Sequence, residues 1–370
     1  MKLPLLDYSA TNFGDKDLSN TFVIACQHIL ETNFVMFEYL FAKGLKPKNT
    51  FLLGKCYSSN KEILSKFKKK GVFVHSGSLV FDSHRSFDGQ FDLIVQDFLL
   101  KIKAKKDFSQ YDKIVLIDDG GYLVYWANHL YEGVKNLVAI EQTSSGYTKL
   151  RNEDFAFPVI NVARSNVKLV YESPFIAEVV IEKMQKQLTK LKLKPKSFLI
   201  VGVGSLGNAI FNLLKIKQFN VKKFDINNNS DFKKNSLNSI LPQFDAIVGV
   251  TGSEIINQES YSNLKKGAIL VSASSSDREF SAVNLRKLVS KNNDAHKNIF
   301  VRNIYLLNAG FPINFDGSKN SVAPEKIQLT RALIYSAVFF GLKNGNKKGI
   351  IELDKEIQTK LVSEFAKISN

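Results

Sequence analysis

Phe198-Leu199-Ile200-Val201-Gly202-Val203-Gly204-Ser205-Leu206-Gly207 decides how this chain folds. The first four residues form a short, continuous apolar run, as in a strand buried on both faces of a parallel sheet. The last six read G-x-G-x-x-G, and Asn208–Leu214 continues with apolar residues at helical spacing. Strand, tight turn and helix in that order give each glycine a task. Gly202 permits the turn, Gly204 lets the backbone approach a pyrophosphate, and Gly207 lets helix and strand pack closely. Ser205 and Leu206 lie at the helix N-terminus, whose free N–H groups suit phosphate.

A second strand, Val221–Phe224, ends in Asp225, at the distance where a carboxylate meets the adenosine ribose hydroxyls. A carboxylate there repels a 2′-phosphate, so NAD is expected; Lys222 and Lys223 are the argument for NADP. Strands at Ala246–Val250, running into Thr251-Gly252, and at Ala268–Ser272 extend a Rossmann sheet. The plainer alternative is a Rossmann-like sheet that has lost its ligand.

Upstream, apolar residues at Val23, Ile24, Phe34, Val35, Phe37, Leu40 and Phe41 predict a long helix from Asn20 to Lys43, stopped by Gly44. Strand-like Thr50–Leu53, helix-like Asn60–Lys70 and strand-like Val72–His75 follow. Lys113–Ile117 reads as a buried strand running into Asp118-Asp119-Gly120-Gly121, and Leu137–Ile140 as another ending at Glu141. Such alternation predicts a parallel sheet with helices on its faces, its ligand crevice beyond the strands' carboxyl ends. A helix from Pro174 to Leu193 and the lysine-rich stretch 192–196 lead into the glycine unit. Beyond it, a helix is expected from Glu325 to Leu342. Leu353, Ile357, Leu361 and Phe365 then recur at helical spacing, as in a segment that docks. The fold class is therefore α/β in two domains. A parallel-sheet substrate domain spans 1–172 and is completed by a helix at 325–345. An NAD-binding Rossmann domain spans 173–324, and a docking segment spans 346–370.

The 370 residues carry a formal charge of +16, with 51 Lys and Arg against 35 Asp and Glu. The lysines are scattered, and no zinc spacing, RNP-like aromatic strand or basic heptad accompanies them, so no nucleic-acid partner is expected. A solvated basic surface still attracts anions such as dinucleotides. No apolar run approaches the roughly 20 residues that span a bilayer, and the N-terminus lacks a signal peptide's apolar stretch. Cys26 and Cys56 are too few for a disulfide framework. A cytoplasmic location, no membrane partner and no metal are expected. His75, His84, His129 and His296 have no partner constellation.

A series of short motifs runs through residues 20–345. They are His28-Ile29-Leu30-Glu31-Thr32, Asp118-Asp119-Gly120-Gly121, and Glu141-Gln142-Thr143-Ser144-Ser145-Gly146. After them come Pro158-Val159-Ile160-Asn161-Val162 with Lys168 beyond, Val250-Thr251-Gly252, and Leu307-Asn308-Ala309-Gly310. Their order resembles the S-adenosylhomocysteine hydrolase (adenosylhomocysteinase) family, whose segments read H-M-T-x-x-T, D-D-G-G, E-E-T-T-T-G, P-x-I-N-V, T-T-G and V-N-L-G. The resemblance implies bound NAD that oxidises a nucleoside hydroxyl, followed by elimination, water addition and return of the hydride. It implies substrate contacts at His28, Thr32, Asp119 and Gln142, and a catalytic pair in Lys168, as base, and Glu172. Cofactor contacts are implied at Thr143, Ser144, Ser145, Thr251, Gly252, Asn308 and Asn314, beside the glycine turn and Asp225. A homo-oligomer, dimer or tetramer, is implied as well.

The departures fall on the reactive parts. Gln142 stands for the second Glu of E-E-T-T-T-G, Glu172-Ser173 for an Asp-Asn pair, and Gly54-Lys55 for a Cys-Asn pair. Ser275 stands where the family has a cofactor-domain histidine, and Asn314-Phe315-Asp316-Gly317 replaces G-H-P-S. The family's C-terminal K-P-x-x-Y-R-Y arm is not matched before Asn370. NAD binding remains the expectation; efficient adenosylhomocysteine hydrolysis does not. The expected activity is oxidation of a hydroxyl on a nucleoside-like or polyol small molecule. A catalytically silent NAD-binding or regulatory protein, and a genuine adenosylhomocysteinase with rebuilt contacts, stay open. Plain readings exist for single residues too. Lys168 and Glu172 suit a surface i,i+4 pair, Asp119 and the asparagines suit turns, and His28 suits a satisfied core histidine.

Overall fold

The computed structural model describes residues 1–227 and 230–369, except the side chains at 166, 167 and 169. It divides into two compact units. The first comprises residues 1–79, 91–172 and 323–370, and the second 80–90 and 173–322. Residues 80–90, expected in the first domain, group with the second unit, and 346–370 group with the first.

The strands are β1 (Thr21–Cys26), β2 (Thr50–Leu53), β3 (Phe73–Val74), β4 (Lys113–Asp118), β5 (Leu137–Glu141) and β6 (Pro158–Asn161), then β7 (Ser197–Val201), β8 (Asn220–Phe224), β9 (Ala246–Gly249), β10 (Ala268–Ser272), β11 (Ile299–Val301), β12 (Ile304–Leu306) and β13 (Gly349–Glu352). The first unit's sheet runs β13-β6-β5-β4-β1-β2-β3, every pairing parallel. The second runs β11-β12-β10-β9-β7-β8, parallel but for the β11–β12 hairpin. The protein is thus α/β with two parallel sheets.

Strand order reverses between β1 and β4 in the first sheet and between β7 and β9 in the second. At such a point the connections leave toward opposite sides, which opens a crevice at the strands' carboxyl ends. His28 and Asp119 follow β1 and β4, and Gly202 and Thr251 follow β7 and β9.

The long helix over Asn20–Lys43 is corrected. Thr21–Cys26 is a strand buried at every position, a loop carries Gln27–Leu30, and the helix covers Glu31–Ala42. A strand covered on both faces has no alternation, so its apolar run merged with the helix's spacing. The helix expected from Pro174 begins earlier, spanning Asn166–Lys190 with Pro174 inside. The tail also differs at its start. β13 adds to the sheet edge beside β6, and a helix at Lys355–Ser369 packs on the helices Pro324–Lys343 and Pro4–Asn12, burying Leu361 and Phe365. Among the described residues, no helix is long and apolar enough to cross a membrane.

Candidate functional site

In the first sheet the register aligns Asp118 with Glu141 and Glu141 with Asn161, so the chemistry of these loops begins at one level. Glu141 organises that edge. Its carboxylate accepts N–H groups from Gly121 at 2.9 Å, Gly120 at 3.3 Å and Thr143 at 2.6 Å, and the Thr143 hydroxyl at 2.7 Å. The glycines make room for it: a Cβ on Gly146 would lie 2.3 Å from the Glu141 carboxyl carbon. Burial, with Asp118 beside it, pushes the Glu141 carboxyl well above its usual range, against those donated hydrogen bonds. Burial likewise pushes Asp118 up to about 7.

Asp119, one residue past β4, is the hub. Lys55 Nζ donates to its Oδ1, Gln142 Nε2 donates to its Oδ2, and His28 Nε2 lies 3.2 Å from Oδ2. Burial works against ionisation, yet His28 and Lys55 hold the Asp119 carboxyl well below the carboxylate range. Burial lowers the His28 imidazole against the pull of Asp119. Its Nε2 faces Asp119 and its Nδ1 pairs with the Ser58 hydroxyl. Burial opposes the charge of Lys55 too, but the field of Asp119, then Tyr57 and Cys26, raises it well above the ordinary lysine value. The result is a fixed anion gripped by a fixed cation, both buried.

Lys168 joins through Gln142. Its Nζ donates to the Gln142 carbonyl and lies 3.4 Å from Glu172, one turn further along the helix Asn166–Lys190. The structure thus brings together His28, Asp119, Gln142, Lys168 and Glu172. Thr32 sits on the helix after β1 and takes a hydrogen bond from Arg331 Nε at 3.3 Å. Thr143 is the N-cap of the helix Ser144–Leu150, accepting from Gly146 N, with Ser145 Oγ 3.4 Å from its hydroxyl and Ser144 exposed. Capping accounts for Thr143 without any cofactor.

Sequence reasoning read Lys55 only as a departure and missed Arg331. The available signal for Arg331 was a lone charge within residues 327–339, a mostly apolar helical stretch.

In the second unit, the glycine turn is built as expected. Gly202 has φ +99°, and a Cβ there would meet Val250 and Thr251 within 3 Å. A Cβ on Gly207 would lie 1.9 Å from the Gly202 carbonyl oxygen. Gly204 differs: nothing lies within 4 Å of where its Cβ would be. It is the N-cap of the helix Ser205–Ile216 and offers no side-chain cap, so the first-turn N–H groups face outward without one. Asp225 Oδ2 accepts Val203 N at 2.6 Å and its Oδ1 accepts Asn227 N at 2.8 Å. Lys223 Nζ rests over the Phe211 ring, 5.2 Å from its centroid.

A buried glutamate that sequence reasoning missed, Glu279, shapes the opposite turn. It accepts from Thr251 N at 2.6 Å, Gly252 N at 3.3 Å and Ser272 Oγ at 2.8 Å. Gly249 leaves it space, since a Cβ there would lie 2.6 Å from its Oε2. Asn308, at φ +52°, donates to the carbonyls of Pro312 at 3.0 Å and Phe315 at 2.9 Å, and Asn314 is buried beside them. The Asn308 amide therefore holds the 311–315 loop.

These features define a two-unit parallel α/β protein with a Rossmann-type glycine turn in one unit and a buried Asp-Lys-His-Gln cluster in the other. No protein-family model matches the chain. It is 35% identical over 330 residues to uncharacterized proteins from two strains of Mycobacterium tuberculosis, a span of 88% of this chain. It covers 65% of the length of those relatives. Among solved structures it is similar to the A chain of dipicolinate synthase from Bacillus subtilis, at 10% identity, TM-score 0.43, and 90% and 99% of the two chains. It is similar also to D-2-hydroxyisocaproate dehydrogenase, at 13% identity, TM-score 0.35, and 87% and 95% coverage.

Proposed function

We propose that the chain binds NAD at the Gly202–Gly207 turn and uses it to oxidise a hydroxyl of a nucleoside-like or polyol substrate held at Asp119, as an adenosylhomocysteinase-like enzyme. The observation that carries this reading is the contrast among the three glycines. Packing alone demands Gly202 and Gly207, whereas the space left by Gly204 is open to solvent and costs the fold nothing to fill. A position that packing leaves free, at an uncapped helix N-terminus, suits a pyrophosphate.

Gly202, Gly204, Ser205, Leu206 and Gly207 would hold the phosphates, Asp225 the ribose, and Thr251 and Gly252 the facing side of the crevice. When bound, NAD supplies a hydride acceptor. The chain's own groups do the rest. Asp119, kept ionised by His28 and Lys55, accepts hydrogen bonds from substrate hydroxyls. Gln142 Oε1, buried and without a partner, accepts another. Lys168 Nζ, as the neutral amine, takes the proton of the hydroxyl being oxidised and becomes the ammonium that Glu172 then faces.

Hydrolysis of adenosylhomocysteine needs a further acid at the leaving group, and Ser275 stands where the resembling family has histidine. Mass spectrometry of the small molecules released from denatured protein is expected to find NAD. Calorimetry is expected to give NAD a sub-millimolar Kd, and its failure to bind sinks the reading. Homocysteine release from adenosylhomocysteine faster than about 1 per second, within the usual enzyme range, makes the chain a genuine adenosylhomocysteinase instead.

A further inference from the structure

Among the described residues around Asp119 there is a buried cation with an unsatisfied donor. Arg331 lies in the middle of the helix Pro324–Lys343 and is 4% exposed. Its Nε donates to Thr32, but its Nη1 is buried with no hydrogen-bond partner. Burial pulls the guanidinium down to about 10, while Glu172 and Asp119 act in the opposite direction. It therefore stays charged at neutral pH. Both of those carboxylates already have a lysine, Lys168 on Glu172 at 3.4 Å and Lys55 on Asp119.

A buried, charged N–H without an acceptor costs the folded state more than a neutral one does. Native proteins keep such groups rarely, and then for a reason such as a ligand. The Gln142 Oε1 orphan lies on the same cluster, and both polar atoms of Gln27, at the end of β1, are orphans as well.

We propose that the substrate of this site carries an anionic group, a carboxylate or a phosphate ester, which Arg331 Nη1 receives while Asp119 takes the hydroxyls. The assignment rests on the reading of Asp119 as a substrate site and adds the charge of that substrate. The remaining groups support it. Neither carboxylate bonds Arg331 Nη1, which is left with a donor for an anion to accept.

The test compares D-glucitol, D-gluconate and D-glucitol 6-phosphate, which share a six-carbon polyol chain and differ in charge. Calorimetry on the full chain at pH 7.5 is expected to show gluconate or the phosphate ester binding at least tenfold more tightly than glucitol, and which one wins names the anion. Arg331→Met is expected to remove that preference and Arg331→Lys to keep part of it. Ligand-free Arg331→Met is expected to melt no lower than the wild type, because it loses an unpaired buried charge. A structural guanidinium would instead lower the melting temperature by several degrees. Equal or undetectable binding of all three probes, a preference that survives Arg331→Met, or a fall in melting temperature overturns the proposal. NAD titrated into the same variants separates the two readings. Lost NAD binding with the anion preference intact defeats the cofactor assignment alone, and intact NAD binding without the preference defeats this one alone.

Discussion

The carboxylate of Asp225 accepts the backbone N–H of Val203 at 2.6 Å, tying the end of β8 to the glycine turn that follows β7. In the proposed cofactor site an adenosine ribose would meet this same carboxylate, which suits the two ribose hydroxyls of NAD and would repel the 2′-phosphate of NADP. Lys223 does not offset this charge directly, since its ammonium rests over Phe211. NAD is expected to bind at least tenfold more tightly than NADP, about 1.4 kcal/mol. Equal affinities by calorimetry would remove Asp225 from the cofactor site.

Gly204 and Gly207 separate binding from folding. Gly204 has φ −70°, open to any residue, and space above it, so Gly204→Val should leave the melting temperature nearly unchanged while abolishing NAD binding. Gly207→Ala puts a methyl 1.9 Å from the Gly202 carbonyl oxygen and should destabilise by about 1–3 kcal/mol. Urea unfolding with NAD titration on both variants checks the pair. A Gly204→Val protein that still binds NAD shows that no pyrophosphate crosses this turn.

Burial raises Asp118 to about 7 from its ordinary 3.8. Between those values the unfolded chain releases a proton that the folded chain keeps, so this group's contribution to stability falls as pH rises from about 4 to about 7. Above about 7 the contribution is flat. Asp118→Asn can still accept the Val124 N–H, made at 2.9 Å, and has no charge to bury. The variant is expected to gain on the wild type steadily across that window when urea denaturation is run at pH 5, 6, 7 and 8. A difference independent of pH would mean that Asp118 is ionised throughout.

How much of this was readable beforehand follows from range along the chain. The glycine turn was legible because strand, turn and helix are consecutive, and Gly202 and Gly207 pack against the turn itself and the end of β9. The Asp119 cluster was legible in part, because His28, Asp119 and Gln142 each sit just past a strand end that a parallel sheet must align. β1 was misread because both its faces are covered, which erases the alternation that marks a strand. Glu279 reaches back 28 residues to Thr251, and Arg331 pairs with Thr32 across 299 residues. Nothing local announces either contact. The resemblance implied a cofactor contact at Thr143, yet a hydroxyl at a helix start is equally a cap.

Lys168 decides whether the Asp119 cluster does chemistry. Its nitrogen donates to the Gln142 carbonyl and lies 3.4 Å from Glu172, and the lone pair of the neutral amine is what would receive a hydroxyl proton. Oxidising that hydroxyl requires a proton acceptor close to it, a role that contributes about a hundredfold to ten-thousandfold in rate. Lys168→Met keeps the length of the side chain and removes the nitrogen. It is expected to leave NAD affinity unchanged and to slow reduction of NAD by at least about a hundredfold with whichever hydroxylated compound reduces it. Glu172→Gln should have a smaller effect, because it removes a partner of Lys168 and not the proton acceptor. Absorbance at 340 nm under saturating NAD follows both variants. A Lys168→Met protein that reduces NAD at the wild-type rate would leave Lys168 as a structural link between Gln142 and Glu172. The proton would then have to go elsewhere, and His28, 3.2 Å from Asp119, becomes the group to replace next.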